Sequence, residues 1–225
     1  MIKRGFIFCL IILLLTGSIV SPAIGSITEA GDSEHISVYF WDLTGKKPLK
    51  KVIEFKGDDW ENLCNELREI KSTSSSIEES LNSQFTLLKQ YGLISYDVTY
   101  KILEEKAKQR FENKKIQKAP LAGNIIINAI CAIDFELKNG TTLVFGLNTF
   151  INLIGFNIFS IHKGYTPGGI HTSGLFKQST EPGTYLGFMF GLLGYWFGTK
   201  TGTGTYSDLT VAGFTVFTTW IPVGS

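Results

Sequence analysis

Sulfur and imidazole are scarce in this chain: 225 residues include 3 Cys, 2 Met and 3 His. A chain of this length buries a core without disulfide staples, and so few cysteines do not form a disulfide scaffold. An excess of either charge is also lacking, since 21 basic and 20 acidic residues leave a net +1. That balance creates no long-range field for recruiting nucleic acid or an anionic bilayer. No alternation of basic and aromatic residues suggests a nucleic-acid platform either. Charged residues make up 18% of the chain, aromatics 13%, and Gly occurs 24 times. Such a composition excludes a disordered chain.

Catalytic signatures are lacking as well. His162 and His171 flank a turn containing Pro167-Gly168-Gly169. A metal site there would need Asp134, Glu136 or Asp208 as a third ligand, brought in by the fold. The plainer reading of both is an ordinary loop-edge histidine, and the third histidine is His35. A triad of a serine, His171 and Asp208 has no nucleophile-elbow sequence behind it. The run Gly198 to Thr205 is rich in Gly and Thr but lacks the Gly-Lys-Ser/Thr ending of a phosphate loop, and no helical pattern follows it. It reads as a hairpin tip. No catalytic residue, metal or cofactor is expected.

What is present begins at the N terminus. Lys3 and Arg4 precede an apolar run, Phe6 to Leu15, followed by Pro22 and the small residues Ala23 and Gly25. That order is a secretory signal. It predicts residues 1–25 as the signal peptide with cleavage after Gly25. Retained as an anchor, Gly5 to Gly25 would just span a bilayer, which takes about 20 apolar residues. Cys9 carries no lipoprotein pattern. In an oxidising compartment Cys64 and Cys131 form one disulfide or remain two buried thiols, and sequence does not choose between these.

The remainder divides by composition. Residues 26–118 hold 16 acidic and 15 basic residues, whereas residues 119–225 hold 4 of each and 17 of the 24 glycines. A boundary is expected near Lys118 to Gly123, beside Pro120. In the charged region, Ile36 to Trp41 and Leu49 to Phe55 predict a hairpin. The cluster Lys46, Lys47, Lys50 and Lys51 reads as a solvated turn and strand edge, with a docking patch as the alternative. Three helices should follow. The first is capped by Asp58 and Asp59. The second starts from a capping box at Ser75 and Ser76 with Glu78 and Glu79 and ends at Gly92. The third starts from Asp97.

The second region reads as about six strands. Asn139-Gly140 predicts a tight hairpin turn, and Asn139-Gly140-Thr141 is an N-glycosylation acceptor pattern. In Thr184 to Phe197 the even positions predict one apolar face and the odd positions the other, so the sheet needs cover on both sides. The fold class expected is α+β: an N-terminal hairpin plus three helices, then an antiparallel meander or small barrel-like sheet. The rival is a membrane-embedded chain spanning through 139–162 and 182–199, both free of formal charge.

Tyr39-Phe40-Trp41-Asp42-Leu43-Thr44-Gly45-Lys46-Lys47-Pro48, together with Leu87-Leu88-Lys89-Gln90-Tyr91-Gly92-Leu93-Ile94 and the Gly- and aromatic-rich tail, resembles a group of exported archaeal proteins. The resemblance implies an extracytoplasmic setting and no particular chemistry. The sequence therefore predicts a non-catalytic, secreted or cell-surface structural or binding protein that contacts the membrane only through a retained signal. A small exported hydrolase whose site assembles in the fold is the alternative.

Overall fold

The computed structural model describes residues 35–45, 49–111, 126–145, 159–175, 177–201 and 205–223. The signal segment, the expected boundary at 118–123, the centre of the Lys46–Lys47 turn and the tip at 202–204 lie outside the described residues. The described residues belong to one compact unit, Glu34–Ser225.

Strands β1 (His35–Asp42) and β2 (Leu49–Lys56) form the expected hairpin, with Ile36 opposite Phe55 and Trp41 opposite Lys50. Helices α1 (Gly57–Thr73), α2 (Ile77–Gln90) and α3 (Tyr100–Phe111) follow. Asp58 and Asp59 fall in the first turn of α1 rather than at its cap, which is Lys56. Their carboxylates there favour the positive end of the helix dipole. The capping box forms at α2, where Ser76 Oγ accepts from Glu79 N–H at 3.2 Å. Glu79 reaches back to Ser75 N–H at 2.9 Å. Gly92, at φ 67, ends that helix, and Leu93 N–H bonds Leu88 O across the turn. Thr99 Oγ1, not Asp97, accepts from Ile102 N–H at the start of α3.

The second region contributes β3 (Ile126–Phe145), β4 (Phe159–Thr166), β5 (Ile170–Ser173), β6 (Lys177–Ser179), β7 (Gly183–Thr201) and β8 (Thr205–Pro222). All eight strands among the described residues join one antiparallel sheet, in which β1 pairs β7. This overturns the α+β expectation of a hairpin-and-helix region followed by a separate meander or barrel-like sheet. The described chain is mostly strand, and the hairpin is part of the same sheet. The physical reason lies in β1. Val38 and Phe40 are fully buried on one side while Tyr39 and Trp41 are half-buried on the other, so the hairpin needs a neighbour along its edge and β7 supplies it.

Within the sheet, β3 pairs β4, β4 pairs β7, β7 pairs β8 and β8 pairs β3, which closes a ring of four strands. Asn139 and Gly140 lie within β3, at a register shift between Lys138 and Thr141, and not in a hairpin turn. β3 pairs β8 as far as Leu137 and β4 from Lys138 onward, and this long-range pairing on either side of the dipeptide overrides the local turn preference of Asn-Gly. The described parts of 139–162 and 182–199 are strands, and no helix among the described residues is long and apolar enough to cross a membrane.

Two cores result. One lies between the helices and the sheet, with Phe40, Leu63, Leu81, Phe85, Leu88 and Tyr195 among its members. The other fills the ring and includes Phe135, Met189, Leu192, Trp196 and Trp220. The expected alternation along β7 breaks between them. Met189 shares the ring core with Leu192 and Trp196, while Phe190 packs with Leu193, Tyr195 and Phe197 on the helix side. Gly191, at φ 69, reverses the faces. A residue in that left-handed conformation shifts the strand's phase by one, and glycine alone adopts it without strain.

Candidate functional site

Side chains from all four ring strands meet in the ring core. The Phe135 ring stands 4.6 Å from that of Trp220, and the His162 ring stacks on Trp220 at 5.8 Å and 20°. Trp196 meets His162 edge-on at 6.3 Å. His162 is fully buried, and desolvation lowers its pKa from 6.5 to about 3. The expectation of a loop-edge histidine at this position is thus overturned. An imidazole held neutral among indoles stabilises by stacking and packing, and proton exchange with water is denied to it.

His171 lies apart from it on β5, opposite Asp134, with Nε2 3.0 Å from Gly168 O. Asp208 immediately precedes Leu209, the partner of Leu137, on β8, at a different level of β3 from His171. It is one of two non-glycine residues in a left-handed conformation among those described, at φ 46, and burial raises its pKa. His35 is exposed at the start of β1. Among the described residues no three or more His, Cys, Asp or Glu side chains gather as a metal site. A depression of about 370 Å³ beside α1 and α2 is bordered by Glu66, Asn82, Ser83, Thr86 and Gln90. It brings one titratable group to its wall, where acid–base chemistry needs two in concert.

Charge is concentrated instead between the helices and β3. Arg68 and Lys71, one turn apart on α1, face Glu136 and Asp134, two residues apart on β3. The helical spacing of about 5–6 Å matches the strand repeat closely enough for both pairs to form. Arg68 holds Glu136 with two hydrogen bonds, at 2.6 and 3.1 Å. Lys71 Nζ lies 3.4 Å from Asp134 Oδ1. Asp134 Oδ2 accepts from Ser80 Oγ at 2.9 Å and from Gln84 Nε2 at 2.7 Å. Sequence reasoning treats Asp134 and Glu136 only as remote metal ligands. Two carboxylates on one face of an apolar strand, and two cations at matching spacing on a helix, are the signal it misses.

The cysteines flank this seam without joining. Cys64 on α1 is half-buried, Cys131 on β3 is buried, and both are free thiols. Burial pushes each up to about 12, with Glu136 adding to the effect at Cys64. Thiols so shifted are poor nucleophiles.

The outer face of β1, β2 and β7 is different in kind. Lys50 Nζ stands 5.2 Å from the centre of the Tyr39 ring and 5.6 Å from that of Trp41. Lys200 Nζ stands 5.5 Å from the same Tyr39 ring. Trp41 stacks on Trp196 at 6.3 Å, which ties this face to the ring core. Neither Lys50 nor Lys200 forms an ion pair among the described residues. The carboxylate of Glu54, on the same face, accepts from Ser37 Oγ at 2.8 Å.

No family model, curated protein or solved structure matches the chain.

Proposed function

We propose that this chain is an exported, non-catalytic cell-surface protein that binds an acidic polysaccharide through the outer face of β1, β2 and β7. One observation carries the ligand class: two lysine ammonium groups without a salt-bridge partner among the described residues converge on a single exposed-side tyrosine ring, beside a tryptophan. Aromatic rings offer flat apolar platforms to the C–H faces of sugars. Ammonium groups held over those rings are placed to meet carboxylate or sulfate groups along the same polymer. The signal-like N terminus supports the extracytoplasmic setting. The filled ring interior supports a non-catalytic role, since the groups that could react there are sealed from substrate.

Binding of a polyuronate, compared with a neutral glucan of the same length, tests this by calorimetry at low and high salt. Wild type should bind the polyuronate alone and lose affinity as salt rises. Lys50→Glu with Lys200→Glu should weaken binding at least tenfold. Equal binding of the neutral glucan, or none of either polymer, removes the ligand assignment. Release of reducing ends during incubation would replace the whole reading with that of a hydrolase.

A further inference from the structure

Lys71 is 5% exposed and Asp134 is fully buried. A buried ion pair repays its desolvation only when hydrogen bonds satisfy the remaining lone pairs and protons. This pair is satisfied on one side alone. Oδ2 takes the donors of Ser80 and Gln84, whereas neither Nζ nor Oδ1 makes a hydrogen bond among the described residues. The turn at Gly168 covers the lysine stem: a Cβ added to Gly168 would stand 3.0 Å from Lys71 Cδ. An amine thus sits against one oxygen of a carboxyl group whose other oxygen is held by two donors, in a site closed to water.

We propose that Lys71 and Asp134 condense into an intramolecular amide that joins α1 to β3. Nζ first passes one proton to its neighbour Oδ1, 3.4 Å away; the neutral amine then attacks Cγ, and the negative charge that develops is received on Oδ2, where Ser80 and Gln84 already donate. Preformed donors on the oxygen that stays are the arrangement that stabilises such an addition. The Cγ–Oδ1 bond then breaks. Of the three ammonium protons, one remains on the amide nitrogen and two leave with Oδ1 as water. The positive and negative charges cancel in the same step, so no oxidant, reductant or activated co-reactant is needed. Holding both groups in contact supplies an effective concentration that reaches about 10⁵–10⁸ M in well-oriented intramolecular reactions. That offsets the preference of bulk water for the hydrolysed pair. The product is a neutral crosslink in place of two poorly satisfied buried charges. It ties the helix layer to the sheet and does not depend on the polysaccharide reading.

Intact mass spectrometry of the full chain decides the matter, with the N terminus read from the same peptide map. The proposal expects a mass lower than the sequence by one water and a branched peptide joining the segments that carry Lys71 and Asp134. It also expects proteases that cut after lysine to spare Lys71. A full sequence mass together with cleavage after Lys71 overturns it, and that result comes from wild type without relying on any variant. Gln84→Ala tests the role of the donors: in chain followed from a pulse of synthesis, the unlinked form should persist at least tenfold longer than in wild type, with an unchanged circular dichroism spectrum. Conversion at the wild-type rate in both Gln84→Ala and Ser80→Ala overturns the assignment of Oδ2 as the stabilised oxygen.

Discussion

The two cores of this protein solve opposite problems. The ring core draws every wall from the sheet and holds rings, aliphatic chains and one neutral imidazole. The helix–sheet core has a wall contributed by α1, α2 and α3, and Lys71, Asp134, Arg68 and Glu136 sit along it. Strands locked by pairing on both edges leave the ring little freedom to bring a partner to a charge, and the described members of its core carry none. Helices carry long side chains at adjustable height over a strand, and they can meet a carboxylate wherever one faces them. Among the described residues, buried charge therefore follows the helices.

Breaking the ring should have the largest effect. Gly194 on β7 faces Gly213 on β8, and a Cβ on Gly194 would stand 2.3 Å from Ala212 O. Gly194→Val is expected to cost more than about 4 kcal/mol, beyond what most point changes do, and to abolish cooperative thermal unfolding.

His162 comes next, as a pH dependence. Its folded pKa of about 3 lies below the ordinary 6.5, so the unfolded chain takes up the proton first. The stability that depends on the neutral ring is complete above pH 6.5 and is lost as pH falls toward 3. The full loss is roughly 4–5 kcal/mol, at about 1.4 kcal/mol for each tenfold change in proton affinity. Urea melts of wild type and His162→Leu should diverge in pH slope between those two values. Parallel slopes would show that the imidazole is not held neutral.

The helix side is expected to respond less. Arg68→Met leaves Glu136, 6% exposed, without its two charge-assisted donors. The cost should be about 2–3 kcal/mol by urea melts, and Glu136→Leu added to it should recover most of the loss. Ser76→Ala removes the α2 cap and should cost about 1 kcal/mol in the same measurement. A loss from Ser76→Ala larger than from Arg68→Met would mean that the seam contributes little to the helix–sheet core.

Local chemistry was legible where neighbours in sequence are neighbours in space. The hairpin of β1 and β2, the capping box at Ser76 and Glu79, and the end of α2 at Gly92 all follow from interactions spanning a few residues. Sequence patterns mislead where distant segments compete with local preference. Asn139-Gly140 is absorbed into β3, and the alternation along β7 inverts at Gly191, which looks from sequence like any other strand glycine. His162 reads as a loop-edge residue because nothing adjacent to it reveals the indoles of Trp196 and Trp220. The candidate outer face was half legible: the basic cluster around Lys50 is visible in the sequence, but Lys200 joins it only through the pairing of β1 with β7.

By itself the sequence determined the kinds of element, the capping box and the glycine turn that bound α2, and the separation of a charged stretch from a glycine- and aromatic-rich one. These depend on hydrogen bonds and side-chain spacing within a turn or two of chain. Tertiary structure alone decided that both stretches share one sheet, that four strands close a ring, and that Lys71 meets Asp134. Each of those depends on pairing between segments far apart along the chain, where partner choice is set by which faces and edges are left to bury once the local elements have formed.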